Sequence, residues 1–327
     1  MVEFSRRNAL AATIAVGAFA ATPSALRAQA FPARPIRVII PLAAAGATDV
    51  AIRMVLDEMG RDLGQTFVVE NQPGASGLVG MRSGARANAD GYTILGVNDS
   101  IMTMLPTMKD GVGYDPLVDF APITQLVKIN FALIAHPSFA GSSVKDLIDM
   151  AREKPGSIDF ASGGPGSPQH VAMELLAHAT QIKLNHVPYR GVAQAFNDVV
   201  GGHVPLMITG LPSPNEFINK GQLKLLGITS AQRSAVFPNQ PTIAEQGVAG
   251  YDFTTYAALV APAKTPSEII ALLNRSAIKA LNAPTVNSRL SGMGFEIIAN
   301  TSAEFTAALK EGLAKYSELS KAANIRL

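Results

Sequence analysis

The stretch IRVIIPLAAAGATDVAIRMVLDEMGRDL, residues 36–63, joins a buried-type strand, a loop of small residues and an amphipathic helix. Positions 36–40 are rich in β-branched apolar residues, which is typical of a strand covered on both faces. Ile52, Val55, Met59 and Leu63 follow at intervals of three, four and four, which places them on one face of a helix. The stretch therefore predicts a strand–loop–helix unit whose loop covers 41–49.

Similar units follow along the rest of the chain. Further strands are predicted at 67–69, 92–97, 120–127, 131–135, 159–161, 186–187, 206–209, 223–228 and 251–261. Further helices are predicted at about 77–87, at 143–153 with Ser143 as its cap, at 171–180, and after the capping signals at Thr265 and Thr301. The alternation predicts an α/β fold, with parallel strand pairing and helices on both faces of the sheet.

The first thirty residues have the pattern of an export signal. Arg6 and Arg7 precede an uncharged apolar run at 9–21, and Ala28-Gln29-Ala30 follows as a small-x-small cleavage site. This order predicts that residues 1–30 are a secretory signal peptide, which directs the chain to the periplasm and is cleaved near Ala30. The paired arginines fit twin-arginine export, but they also occur in ordinary signals, so both routes stay open. An amphipathic helix of the folded protein is disfavoured because 9–21 has no polar face.

Composition excludes several classes of function. Cleavage after Ala30 would remove three of the 27 Lys and Arg residues and one of the 25 Asp and Glu residues, leaving a formally neutral chain. Neutrality, with no basic stripe, argues against a nucleic-acid partner. The chain has no cysteine, which excludes disulfides, thiol catalysis and cysteine-ligated metals.

Two loops of small residues precede predicted helices, about 120 positions apart. The first reads AAAG at 43–46, and the second reads GGPGS at 163–167. Small residues let a ligand approach the main chain, and the free amides of a helix N-terminus favour an anion. Facing each other, the two loops would suit a carboxylate or dicarboxylate. They could equally be ordinary strand-to-helix turns.

Enzyme motifs are missing or incomplete. The second loop lacks the lysine of a phosphate loop, and no G-x-S-x-G or H-x-x-x-H pattern occurs. Ser167 and His170 could be a nucleophile and its base, or a helix cap and a ligand contact. The sequence therefore predicts a binding protein without cofactor or metal, and an exported hydrolase is the disfavoured alternative.

Several segments together carry a family resemblance, and these include FPARPIRVIIPLAAAGATDVAIR (31–53), VENQPGASGLVG (69–80), ASGGPGSPQHVAMELL (161–176) and HVPYRGVAQAFNDVVGGHV (186–204). The chain resembles the substrate-binding proteins of tripartite tricarboxylate transporters, the Bug family, over essentially its whole mature length. The resemblance implies a type II periplasmic-binding-protein fold, with two doubly wound domains joined by two crossover strands. We expect residues 31–128 and 258–327 in domain 1 and 129–257 in domain 2, with a ligand cleft between them.

The resemblance further implies a monomeric receptor that closes around a small carboxylate and delivers it to membrane permease subunits. Docking of the closed form on a sensor, for signalling, is the alternative. The implied ligand contacts are Leu42, Ala43, Ala45, Gly46, Asp49, Asn98, Ser100, Gly164, Ser167, His170, Tyr189 and Thr209. Two roles stay open: Asp49 could instead complement the helix dipole, and Tyr189 could be core packing.

The sequence departs from the family pattern at three places. Leu42 and Ala45-Gly46 stand where phenylalanine and paired glycines are usual, and Tyr256 replaces a common tryptophan. Ile208-Thr209 replaces a frequent phenylalanine–aspartate pair. Without that acid a ligand ammonium group loses its partner, so we expect a carboxylate that is not an amino acid.

Overall fold

The computed structural model describes residues 31–322, so the predicted signal peptide lies outside the described part. The strands are β1 (Ile36–Ile40), β2 (Phe67–Asn71), β3 (Thr93–Asn98), β4 (Phe120–Ala135), β5 (Asp159–Ser162), β6 (Asn185–Pro188), β7 (Leu206–Gly210), β8 (Lys224–Ile228), β9 (Thr254–Pro262) and β10 (Phe295–Ile297). The helices are α1 (Ala47–Leu63), α2 (Leu78–Ala85), α3 (Leu105–Met108), α4 (Val144–Glu153), α5 (Pro168–Thr180), α6 (Val192–Val200), α7 (Asn215–Asn219), α8 (Ser267–Asn282), α9 (Pro284–Gly292) and α10 (Ser302–Ala322). A 3-10 turn (Ala75–Gly77) precedes α2, and a π-helical turn (Ser100–Met104) precedes α3.

The strands form one mixed sheet in the order β2-β1-β3-β9-β4-β7-β5-β6, with β8 and β10 also paired to β4. β1 is parallel to β2 and β3, and β5 is parallel to β6 and β7, as the alternating pattern predicts. The long strands β4 and β9 run antiparallel to their neighbours, which the expectation of parallel pairing missed. The fold is α/β of the type II periplasmic-binding-protein class.

β4 changes partners along its length. Phe120–Asn130 pairs with β9, whereas Phe131–Ala135 pairs with β7 and β8. We call the part built on β1–β3, β9, β10 and the first segment of β4 the first lobe, and the part built on the second segment and β5–β8 the second lobe. Each has its own core, around Ile39, Leu95 and Phe305 in the first and around Ile134, Phe196 and Met207 in the second. The predicted domain boundaries, at 128/129 and 257/258, stay a prediction.

The outgoing strand β4 and the chain that returns into β9 meet where the two lobes join, a place that we call the waist. Phe131 and Phe253 pack edge to face with ring centroids 5.4 Å apart. Thr229, which is fully buried, shares its one hydroxyl proton between the carbonyl oxygens of both residues, which lie 3.0 and 2.7 Å from its Oγ1. One side chain therefore joins the outgoing and the returning chain.

Helix starts follow the sequence signals in two of three cases. Ser143 accepts a hydrogen bond from Asp146 N at 3.1 Å, and Thr301 and Glu304 form the reciprocal capping box. The predicted cap at Thr265 is wrong. Its hydroxyl instead donates to Pro262 O at 2.8 Å in the preceding turn, and Pro266 stands at the N-cap without a side-chain bond.

None of the helices within 31–322 is long and apolar enough to cross a bilayer.

Candidate functional site

A cavity of about 570 Å³ lies between the lobes. From the first lobe it is lined by residues of the β1–α1 loop, the turn at 73–77, and Asn98 and Ser100 after β3. From the second lobe it is lined by residues of the β5–α5 and β6–α6 loops and by Thr209, Gly210 and Ser213 at the end of β7. The loops therefore meet at the carboxyl ends of parallel strands, where α/β sheets place their ligands.

Four helices begin at this cavity. Gly46, Gly77 and Gly191 stand at the N-caps of α1, α2 and α6, and none of these caps has a side-chain hydrogen bond. Only α5 is capped, because Ser167 Oγ accepts from His170 N at 3.4 Å. Uncapped N-termini present free amides and the positive end of the helix dipole. The cavity is therefore suited to an anion.

Asp49 organises the first loop. Its carboxylate accepts from Ala45 N at 3.0 Å, from Arg53 Nε at 3.0 Å and from Asn71 Nδ2 at 2.9 Å. Asn71 also donates to Leu42 O at 3.0 Å. Asp49 lies in the first turn of α1, lines the cavity and is 3 % exposed. Its oxygens are thus already engaged in holding the loop.

Ala45 adopts a left-handed backbone, with φ of 64°, at the tip of this loop. The expected ligand contact of Ala45 stays a prediction, and Ala45 is not among the residues that line the cavity. The reason is its amide, which turns toward Asp49. Ala45 therefore shapes the loop, while Leu42, Ala43 and Gly46 line the cavity.

Two histidines support the second loop through hydrogen bonds. His170 Nδ1 accepts from Gly166 N at 3.2 Å, and His186 Nε2 lies 2.6 Å from Ser162 Oγ, which accepts from Gly164 N at 3.1 Å. The imidazole rings stack with centroids 4.1 Å apart. Burial, and then the neighbouring His186, lower the pKa of His170 to about 4, so the ring is neutral. Burial also lowers the pKa of His186.

His170 is not among the residues that line the cavity, and its expected ligand contact stays a prediction. Its ring stacks on His186, in line with Phe160. Since Nδ1 is bonded to Gly166 N, the Ser167–His170 pair is a helix cap and a loop support. The described contacts give no nucleophile–base bond between these side chains.

Two serines bond directly across the cavity. Ser100 Oγ donates to Gly166 O at 2.8 Å, and Ser76 Oγ donates to Pro165 O at 2.5 Å. A methyl group at Gly191 would lie 3.2 Å from Ala43 Cβ, so the lobes approach closely here as well. The lobes are therefore in direct contact around the cavity.

Tyr189 is placed both at the cavity and against a core, so both roles left open by the sequence remain. It lines the cavity and packs against the core of the second lobe. Its hydroxyl donates to Asp198 Oδ2 at 2.6 Å, and burial together with Asp198 raises its pKa to about 12.

Apart from Ala45 and His170, every predicted site residue lines the cavity: Leu42, Ala43, Gly46, Asp49, Asn98, Ser100, Gly164, Ser167, Tyr189 and Thr209. Whether these residues contact a ligand stays a prediction. The sequence reasoning missed the turn at 73–77 and the start of α6 at Arg190–Val192. The signal for the second was Gly191 ahead of the amphipathic run at 192–200.

A family model described as tripartite tricarboxylate transporter family receptor matches residues 51–325. Protein BugT of Bordetella pertussis (strain Tohama I) is 34 % identical over 283 residues, covering 85 % of this chain and 87 % of BugT.

Two solved structures share the whole architecture. Rpa4515 of R. palustris, solved with adipate, matches with a TM-score of 0.87 and 29 % identity, over 90 % of this chain and 99 % of its own. MatC of Rhodopseudomonas palustris, solved with bound malate, matches with a TM-score of 0.84 and 26 % identity, over 88 % and 99 %.

Proposed function

Because the chain belongs to the tripartite tricarboxylate transporter receptor family, we propose that it is a periplasmic receptor for a small carboxylate without an amino group. Receptors of this family bind solutes and are not enzymes. The observation that carries the proposal is the meeting of three uncapped helix N-termini at a cavity whose one acidic lining residue is already engaged.

Electrostatics favours an anionic ligand. The amides at the starts of α1 and α6 are hydrogen-bond donors without a side-chain acceptor, and a carboxylate supplies both the acceptors and the charge. Adipate and malate in the two related structures are such anions. The cavity volume of about 570 Å³ is within the usual range for small-molecule sites.

The same residues disfavour an amino acid. A buried ammonium group needs an anionic partner, and Asp49 is the single acidic residue among those that line the cavity. Its oxygens are bonded to Ala45, Arg53 and Asn71. An ammonium group would therefore remain without a counter-charge.

Capture by closure is the mechanism that we propose. A ligand that contacts the loops of both lobes stabilises the arrangement in which Ser76 and Ser100 bond across the cavity. The closed receptor then docks on permease subunits of a tripartite tricarboxylate transporter. Residues 1–30, as the export signal, would direct the chain to the periplasm and be removed near Ala30.

Thermal-shift screening of the chain from Phe31 onward, stripped of copurified ligand, tests the proposal. At a hundredfold excess over its dissociation constant, a ligand that binds only the folded state adds about 2.7 kcal/mol to the free energy of unfolding. We expect a rise in melting temperature with mono- or dicarboxylates and none with aspartate or glutamate. Tight binding of an amino acid, or no response to any acid by folded protein, would contradict the proposal.

A further inference from the structure

Asp99 is a buried acid between two residues of the cavity. Asn98 and Ser100 line the cavity, and Ser100 Oγ donates to Gly166 O of the second lobe at 2.8 Å. Asp99 is 7 % exposed and is not among the lining residues. Its neighbour Ser100 also begins the π-helical turn at 100–104, and such turns are rare and recur at functional sites. The conformation of this turn therefore decides where the hydroxyl of Ser100 lies.

The carboxylate of Asp99 connects this turn to α10. Thr103 Oγ1 lies 2.8 Å from Asp99 O and 2.5 Å from Asp99 Oδ1, and it shares its one proton between them. Tyr316, in the second half of α10, donates to Asp99 Oδ2 in a long hydrogen bond of 3.4 Å. One oxygen of Asp99 therefore closes the turn on itself, and the other joins the turn to α10.

Helix α10 also packs closely against the turn. A methyl group at Gly312 would lie 2.9 Å from Thr103 Cγ2, so the helix can approach this closely because residue 312 is glycine. Phe305 and Leu309 of α10 share a core cluster with Ile101 of the turn. Within the described chain, no residue of α10 lines the cavity. Any effect of α10 on the cavity is therefore indirect, and the turn, whose first residue lines the cavity, connects the two.

A carboxylate at this position has a cost. Burial raises the pKa of Asp99 to about 6, while Thr103 and then the charge of Lys315 on α10 lower it in part, so the group is mostly ionised at neutral pH. Apolar residues of similar size often replace buried charged groups without loss of stability. The bonds that Asp99 makes are therefore a better explanation for an acid here than the stability that it adds.

We propose that Asp99 is a positioning residue for closure: by joining the π-helical turn to α10, it holds the hydroxyl of Ser100 where the carbonyl of Gly166 meets it. Asp99 acts through Ser100 and not by contact with a ligand. The inference rests on the proposed function, because capture requires the lobes to close. It adds that α10 contributes to affinity without lining the cavity.

A double-mutant cycle between Asp99 and Ser100 tests this role. Isothermal titration at neutral pH uses adipate and malate, the acids of the two related structures. Asp99→Leu keeps the approximate size of the side chain and removes both acceptors, so we expect the affinity to fall about three- to tenfold, as for one lost hydrogen bond. In a Ser100→Ala background the same substitution should change the affinity less than about twofold, because the bond through which Asp99 acts is already missing.

Two further substitutions separate the geometry of the turn from the charge. Asp99→Asn keeps an acceptor for Thr103 and a polar partner for Tyr316, so it should stay within about twofold of the wild-type affinity. Gly312→Ala leaves every polar group in place and displaces the turn from the side of α10. It should weaken binding as Asp99→Leu does, and again only while Ser100 is present.

Thr124→Val is the matched control. Thr124 is fully buried in the first lobe, and its Oγ1 donates to Asn300 O at 2.7 Å. Loss of this bond should lower the melting temperature and leave the affinity for both acids unchanged, because the turn at 100–104 keeps its bonds.

Additive losses in Asp99→Leu and Ser100→Ala overturn the positioning role, and so does unchanged affinity in folded Asp99→Leu and Gly312→Ala. If neither acid binds, small-angle scattering of the ligand-free proteins decides. The radius of gyration should then rise in Asp99→Leu and Gly312→Ala but rise no further in the Ser100→Ala background, and radii equal to wild type overturn the role. Failure of every acid in the thermal-shift screen overturns the proposed function itself and leaves the scattering test in force.

Discussion

At the scale of single residues, the loop around Ala45 is held in a costly conformation. A non-glycine residue in the left-handed region costs about 1 kcal/mol or more, and Ala45 has a φ of 64°. The bond from its amide to Asp49 compensates for part of this cost. The loop thus keeps its shape because Asp49 is fixed in turn by Arg53 and Asn71.

Replacing Ala45 by glycine should raise the free energy of unfolding by about 0.5–1 kcal/mol, because glycine adopts this backbone without strain. Chemical denaturation measures the change. The control is Ala44→Gly, at the neighbouring exposed position without a positive φ, where glycine only adds freedom to the unfolded chain and should be neutral or destabilising. Equal effects of the two substitutions would contradict the strain at Ala45.

The residues that line the cavity were largely predictable because small residues before a helix have a local signature. Gly46, Gly164 and Ser167 follow from that signature alone. The role of His170 was not predictable, because it depends on stacking against His186, which is on another element. The engagement of Asp49 by Asn71 is equally non-local.

At the scale of secondary structure, the second loop depends on two neutral imidazoles. Protonation of His170 at Nδ1 would remove the acceptor for Gly166 N. That loop also provides the carbonyls bonded by Ser76 and Ser100. Its geometry therefore depends on the protonation of residues outside the cavity.

The folded state lowers the pKa of His170 from 6.5 to about 4, so the unfolded chain binds the proton first as the pH falls. His170 should therefore remove on the order of 3 kcal/mol of stability between pH 6.5 and pH 4. We expect His170→Gln to lose less stability than wild type over this range. Thermal unfolding as a function of pH measures the difference.

Protonation of two acids near the loops has the opposite effect on stability. Burial raises the pKa of Asp99 to about 6 and raises the pKa of Glu174, whose Oε1 lies 3.6 Å from His170 Nε2. Both bind protons first in the folded state, so they stabilise it as the pH falls. The test is therefore the difference between variant and wild type. His178→Gln, exposed on the same helix, should follow wild type, and a matching change in both variants would contradict the role of His170.

Elements were predictable where periodicity is strong and unpredictable where the tertiary structure decides. The pattern at 36–63 gave β1 to the residue and the end of α1, whereas α1 begins at Ala47, inside the predicted loop 41–49. Strand β4 was expected as two strands, because Lys128 and Asn130 interrupt its apolar run. Both bond to Glu296 of β10, at 3.2 and 2.5 Å, so the strand continues through the waist.

At the scale of the whole molecule, the two lobes share one sheet and are also joined by direct hydrogen bonds across the cavity. Ser100 is 2 % exposed, and its bond to Gly166 O links residues 66 positions apart. Such a bond exists only while the lobes are together. It therefore stabilises closure and contributes nothing to either lobe by itself.

Ser100→Ala should weaken ligand binding about three- to tenfold, because the closed form loses one hydrogen bond. Titration calorimetry gives the affinity, and small-angle scattering should show a larger radius of gyration for the ligand-free variant. Ser302→Ala is the matched control: its hydroxyl donates to Pro122 O at 2.6 Å within the first lobe. It should lower stability without changing affinity, and equal affinity losses in both variants would contradict closure through Ser100.

The bonds of Thr229 at the waist have a mechanical consequence. If the two chain connections between the lobes were independent of each other, the lobes could twist as well as swing. Here one hydroxyl lies between the carbonyls of Phe131 and Phe253 and shares its proton with both, so we expect the two connections to move as a unit. We therefore expect opening and closing to be the softest relative motion of the two lobes, and side chains at the mouth of the cavity to be replaceable without altering the path along which it shuts.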